Sequence, residues 1–117
     1  MPEFRRIQTN EVGQVVIVRF VERKILDAMS IQEMGEELFS LLEGDDVRLL
    51  LNFSDVEFLS SAALNKLIIL DKKVKGVSGQ LKMCHLCPEL REVFSITRLN
   101  LLFDIKEDES EALSAFE

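Results

Sequence analysis

The strongest constraint on the fold is an almost wholly apolar stretch, residues 47–53 (VRLLLNF), which runs through a short acidic turn into a helical pattern. A strand that is apolar at nearly every position is typical of a central strand covered on both faces. Four further runs of strand character occupy residues 14–20, 23–26, 80–84 and 101–105. Because helical patterns separate most of these runs, the sequence predicts a mostly parallel sheet with right-handed crossovers.

Helices are predicted after each strand except the first. The first helix opens at residues 30–33, where SIQE fits a capping box, and stops near Gly44. The second covers residues 61–75, the third covers residues 88–94, and the fourth begins at Asp108. The second helix has an inward apolar stripe that consists of Ala63, Leu67, Leu70 and Val74.

The predicted element order is therefore β-β-α-β-α-β-α-β-α, with the first two strands as an antiparallel pair at one edge. At 117 residues the chain has about the length of one domain. We expect a single α/β domain over residues 1–117, in which a mixed, mostly parallel β-sheet packs with about four α-helices.

The composition of the chain argues against two classes of function, nucleic-acid binding and membrane insertion. A net charge of −7 argues against a nucleic-acid surface, because phosphate backbones need clustered Lys and Arg side chains. No segment is long and apolar enough to span a bilayer, and the first ten residues lack the apolar core of a signal peptide. We therefore expect neither nucleic-acid binding nor membrane insertion, and a cytoplasmic location.

Two serines, Ser60 and Ser61, stand where the second helix is predicted to begin. Hydroxyls at a helix N-terminus can cap the helix, bind an anion, or carry a covalent phosphate. Spacing alone leaves these roles open, and a plain cap is the commonest of them. Side chains that follow along the helix beside the inward stripe suggest a contact surface. These side chains are Asn65, Ile68, Ile69 and Lys72.

The pair Cys84 and Cys87 has the C-x-x-C spacing of a redox dithiol, and His85 lies between them. A structural zinc site needs about four ligands, and the chain has one histidine and two cysteines. Cys84 is more simply a small buried apolar residue at a strand end. Motifs for a hydrolase nucleophile, a phosphate-cradling loop or a zinc protease are absent. We expect no metal, no cofactor and no enzymatic activity.

Residues 52–64 (NFSDVEFLSSAAL) resemble the central motif of STAS domains, as found in bacterial anti-sigma factor antagonists. The likeness extends over almost the whole chain. Residues 25–27 (ILD) are similar to the family's turn before the first helix, and residues 79–83 (GQLKM) to its Gly-Gly-x-Leu strand. Residues 88–94 are similar to its Pro-x-Val-x-x-Leu-Phe segment.

The resemblance implies a function and a set of site residues. In such antagonists one serine is phosphorylated by a partner that is both anti-sigma factor and serine kinase, which blocks binding, and a serine phosphatase restores it. The aligned acceptor is Ser61, with Ser60 as the alternative. The unphosphorylated protein binds the anti-sigma factor and releases a sigma factor. The implied partner-binding residues are Asp27, Ser60, Ser61, Asn65, Ile68, Ile69 and Lys72.

The sequence departs from the family motif at three positions. Ser60 stands in place of the motif aspartate, Ala62 replaces a second hydroxyl residue, and Ala63 replaces a glycine. These departures leave open a branch that uses Ser60 as the acceptor. They also leave open a domain that binds without phosphorylation, as a scaffold in a larger signalling or transport assembly.

Overall fold

A computed structural model describes residues 4–116, which form seven strands and four α-helices. In chain order these are β1 (Ile7–Val12), β2 (Val15–Phe20), β3 (Lys24–Ile25), α1 (Ala28–Ser40), β4 (Arg48–Asn52), β5 (Phe58–Leu59), α2 (Ser61–Gly76), β6 (Gln80–Cys84), α3 (Pro88–Ile96), β7 (Asp104–Lys106) and α4 (Glu109–Ala115). A 3-10 turn, Leu99–Leu101, precedes β7.

Five strands form one sheet in the order β1-β2-β4-β6-β7. The strands β2, β4, β6 and β7 pair in parallel, and β1 pairs antiparallel with β2. The β1–β2 connection passes through Gly13, whose φ of 60° suits a tight hairpin turn. The prediction of a mixed, mostly parallel sheet with four helices is thus confirmed.

The predicted antiparallel edge pair was wrong in its strands. Residues 14–20 pair with β1, which the sequence analysis missed, and not with residues 23–26. Only Ile7 of β1 is buried, because this edge strand exposes its polar side chains and so lacks an apolar signature. The short strand β3 instead pairs in parallel with β5, outside the main sheet.

The predicted start of α1 at a Ser30 capping box was also wrong. Asp27 is the N-cap, with an extended backbone and a carboxylate that accepts the Ser30 amide hydrogen at 3.0 Å. Ser30 lies within the first turn, and its hydroxyl donates to the same carboxylate at 3.2 Å. The helix therefore begins three residues after the end of β3. It ends at Ser40, before Gly44, which takes a φ of 78° in the following turn.

The last strand is displaced from its predicted position at residues 101–105. Arg98 adopts a left-handed φ of 62° and leads into the 3-10 turn, so β7 begins only at Asp104. The predicted C-terminal helix is confirmed as α4. Asp108 caps it by accepting the Glu111 amide hydrogen at 2.8 Å.

The helices cover the two faces of the sheet unequally. A large core lies on the face covered by α1, α2 and α3, and it contains the predicted α2 stripe of Ala63, Leu67, Leu70 and Val74. A smaller cluster on the other face packs under α4. It comprises Val15, Ile17, Leu50, Cys84 and Ala112. Within residues 4–116, no helix combines the length and apolarity that crossing a membrane would require.

Candidate functional site

The parallel pair β3–β5 places the starts of α1 and α2 side by side. In its register Lys24 lies opposite Phe58 and Ile25 lies opposite Leu59. Ile25 and Leu59 are buried, so the alternating side chains of the pair point outward. The Ser60 amide continues the ladder by donating to the Ile25 carbonyl at 3.1 Å. Each strand then enters its helix within three residues, which brings the Asp27 turn beside the Ser60–Ser61 turn.

Ser60 is the N-cap of α2. Its backbone is extended, with φ −70° and ψ 165°, and its Oγ accepts the Ala63 amide hydrogen at 3.2 Å. Its carbonyl accepts the first intrahelical bond, from the Leu64 amide, at 3.0 Å. The side chain is half-buried. The capping role that the serine pair allowed is therefore filled by Ser60.

Ser61 is the first residue of α2 and is exposed. Within residues 4–116 its hydroxyl has no hydrogen-bond partner, so the oxygen faces solvent. The first turn of α2 contains no acidic side chain. An anionic group on this oxygen would thus meet the positive end of the helix dipole without a carboxylate in the same turn.

The remaining predicted contact residues divide into exposed and half-buried side chains. Asp27, Asn65 and Lys72 are exposed. Ile68 is half-buried and packs against the main core, because it follows the buried Leu64 by one helical turn. Ile69 is also half-buried. The two isoleucines on the predicted contact surface are therefore only partly accessible.

Three large apolar side chains around the serine turn were missed by the sequence analysis. Leu26, Met29 and Phe58 are 53%, 69% and 46% exposed, and we call them the head patch. The buried positions of Ile25 and Leu59 indicate that Leu26 and Phe58 must point outward, once strands are assigned there. Exposed apolar side chains grouped at one site are typical of interaction surfaces.

A family model for the STAS domain matches residues 6–112. The chain belongs to the STAS domain family. The match spans every strand and the helices α1, α2 and α3, and it reaches into α4.

Relatives of this STAS domain include proteins named as anti-sigma factor antagonists. A candidate anti-sigma factor antagonist of Bordetella bronchiseptica, BtrV, is 26% identical over 92 residues, which are 79% of each chain. The crystal structure of another candidate antagonist, from Thermotoga maritima, aligns over 94% of this chain and 93% of that chain, with a TM-score of 0.82 and 23% identity. Phosphorylated SpoIIAA of Bacillus aligns over 95% and 99%, with a TM-score of 0.66 and 17% identity. These structural likenesses show the shared fold.

The cysteines of this STAS domain occupy unequal environments. Burial, together with the nearby Glu109 and Asp108 carboxylates, raises the pKa of the Cys84 thiol to about 12. Cys87 is half-buried at the start of α3, with its Sγ 3.9 Å from the Glu57 carbonyl. His85 is exposed. Within the described part of the chain, no group of three or more His, Cys, Asp or Glu side chains could hold a metal ion.

Proposed function

We propose that this STAS domain is an anti-sigma factor antagonist whose binding is switched off by phosphorylation of Ser61. The observation that carries the proposal is the exposed Ser61 hydroxyl at the start of α2, beside the apolar head patch. The antagonist naming of its Bordetella relative supports it. The domain acts in the cytoplasm as a binding module, not as an enzyme. Its partner supplies the kinase and the ATP, and a serine phosphatase reverses the modification.

The docking face combines apolar and polar side chains in the manner of a protein–protein interface. The head patch of Leu26, Met29 and Phe58 supplies the apolar area. Polar and half-buried side chains of the two helices surround it. They are Asp27, Ser60, Ser61, Asn65, Ile68, Ile69 and Lys72. An anti-sigma factor that covers this face would bury the Ser61 hydroxyl.

The switch acts on the interface and leaves the fold intact. A phosphate on Ser61 adds about two negative charges at a helix N-terminus, a position that favours anions. The Ser60 cap does not use the Ser61 oxygen, so the helix keeps its N-terminal hydrogen bond. Against a bound partner the same charge would be buried without a counter-ion, near the Asp27 carboxylate. Burying this charge would cost several kcal/mol of binding free energy. Each 1.4 kcal/mol lost weakens the affinity about tenfold.

The direct test is to incubate the protein with its candidate kinase and ATP and to map phosphate by mass spectrometry. We expect one phosphate on Ser61. The Ser61→Ala variant should accept none and still bind the unmodified partner, whereas Ser60→Ala should still be phosphorylated. Phosphate found only outside Ser60 and Ser61 would rule out the proposed switch.

A scaffold role without phosphorylation is the second candidate. It is favoured by Ser60, which stands where the family motif has an aspartate and uses its hydroxyl as a cap. In this case the head patch would bind a partner permanently. Copurification separates the two candidates, because a serine kinase among the bound proteins supports the switch and a large assembly without one supports the scaffold.

A further inference from the structure

The three methionines within residues 4–116 differ sharply in their exposure. Met34 and Met83 are 1% and 0% exposed and belong to the main core. Met29 is 69% exposed and is the most exposed member of the head patch. The remaining methionine, Met1, lies outside the described residues. Among the described methionines, only Met29 can therefore meet a dissolved reagent while the protein stays folded.

Met29 lies in the first turn of α1, two residues after the N-cap Asp27. The Asp27 carboxylate makes the cap with the Ser30 amide, so the Met29 side chain takes no part in it. Because β3 pairs in parallel with β5, the start of α1 lies beside the start of α2, where Ser61 is exposed. A chemical change at the Met29 sulfur would thus alter the docking face and leave the helix cap intact.

The Met29 thioether gives the head patch an atom that mild peroxides oxidise. The sulfur attacks one peroxide oxygen, the O–O bond breaks as the S–O bond forms, and the second oxygen leaves as water after proton transfer. The sulfur loses two electrons, which the peroxide gains. The product, methionine sulfoxide, is polar. The hydrocarbon side chains of Leu26 and Phe58 carry no such atom, so within the head patch the reaction is confined to Met29.

We propose that Met29 is a redox-sensitive modification site, at which oxidation by hydrogen peroxide to the sulfoxide weakens docking of the partner. This inference rests on the proposed function, because it acts on the same docking face. The sulfoxide adds a dipole and no net charge, so its effect is smaller than that of a phosphate on Ser61. Burying an intact methionine side chain contributes roughly tenfold to hundredfold in affinity, and we expect oxidation to lower the affinity about tenfold.

Peptide mass spectrometry of the native full chain after treatment with hydrogen peroxide tests the site itself. We expect one added oxygen on Met29 well before Met34 or Met83 reacts, because those two side chains are buried. In guanidinium chloride, which unfolds the protein, all three should react at similar rates. The oxidised native protein should keep the melting temperature of the untreated protein. Native Met34 or Met83 that reacts as fast as Met29 would overturn the proposal.

Calorimetric titration with the cognate anti-sigma factor tests the consequence for binding. The oxidised parent should bind about tenfold more weakly than the untreated parent. Treatment with the two classes of methionine sulfoxide reductase, one for each sulfoxide epimer, should restore the affinity.

The matched control is Met29→Leu, which conserves apolar volume. This variant should bind like the parent, and peroxide should leave its affinity unchanged. It retains Met1 and Cys87, so an effect of oxidation at either of them would appear in this control.

The outcomes separate this inference from the proposed function. An untreated parent that does not bind the anti-sigma factor would overturn both. A parent that binds equally tightly before and after complete oxidation of Met29 would overturn the inference alone and leave the Ser61 switch standing. A Met29→Leu variant that loses as much affinity as the parent after peroxide treatment would do the same, because the sensitive atom would then lie elsewhere.

Discussion

At the residue scale, Ser60 and Ser61 are neighbours with opposite environments. The Ser60 oxygen is half-buried and accepts the Ala63 amide hydrogen, whereas the Ser61 oxygen faces solvent at the next position. A helix needs only one N-cap, so the second hydroxyl is available for chemistry. If the proposed switch holds, the pair separates a structural role from a regulatory one over a single peptide bond.

This separation predicts unequal effects on stability. Ser60→Ala should lower the free energy of unfolding by about 1 kcal/mol, because it removes the cap of α2. Ser61→Ala should change it by less than about 0.5 kcal/mol, as expected for an exposed side chain without a partner. Urea denaturation of both variants measures the difference. Equal losses would show that Ser61 is part of the cap.

Cys84 gives a second prediction at this scale. The buried thiol has a pKa of about 12, so it stays protonated and inaccessible in the native protein. In the Cys87→Ser variant at pH 8, a thiol reagent should find no reactive group until the protein is unfolded. The free energy of unfolding should fall as pH rises above about 8.5, because only the unfolded thiol then loses its proton. Rapid reaction of native Cys84 would instead support a redox dithiol.

At the element scale, one carboxylate links α4 to the carboxyl ends of β2 and β4. Glu109 accepts the Asn52 Nδ2 hydrogen at 2.5 Å and forms an ion pair with Arg19 at 2.8 Å. Asn52 is buried, and its Oδ1 accepts the Ser54 amide hydrogen at 2.9 Å, at the start of the loop that leads to β5. The helix that covers the smaller core cluster is therefore tied to the segment that carries the serine pair.

Loss of this carboxylate should loosen α4. Glu109→Ala leaves the buried Asn52 amide without its acceptor, which should cost about 1–3 kcal/mol in the free energy of unfolding. Glu111→Ala, on the same helix and exposed, is the control and should stay within about 0.5 kcal/mol of the parent. Denaturant titration measures both, and similar values for the two variants would contradict the anchoring role.

At the scale of the whole molecule, periodic patterns predicted the elements that face the main core. The α2 stripe and the strands β4 and β6 were found from the sequence because their buried positions are apolar, with Asn52 at the end of β4 as the exception. The edge strand β1 was missed because polar side chains line its exposed positions. The head patch was missed because its exposure depends on the two-residue pairing of β3 with β5, a long-range contact that local spacing does not encode.

The proposed docking face lies apart from the packed cores of the domain. The cores lie on either side of the sheet, while the exposed side chains of the serine turn and the head patch lie outside them, at the starts of α1 and α2. A charge added at Ser61 therefore reaches the docking face without entering a packed region. We therefore expect phosphorylation of Ser61 to change affinity and to leave the melting temperature almost unchanged.

Calorimetric titration of the Ser61→Asp variant with the cognate anti-sigma factor tests this claim most directly. We predict a loss of affinity of at least about a hundredfold, since an unpaired charge would be buried at the interface. The melting temperature should stay within about 2 °C of the parent, because the added carboxylate sits at a helix N-terminus. Ser95→Asp, an exposed serine at the far end of the molecule, should bind like the parent. A Ser61→Asp protein that binds as tightly as the parent, or that loses affinity only because it unfolds, would contradict the account.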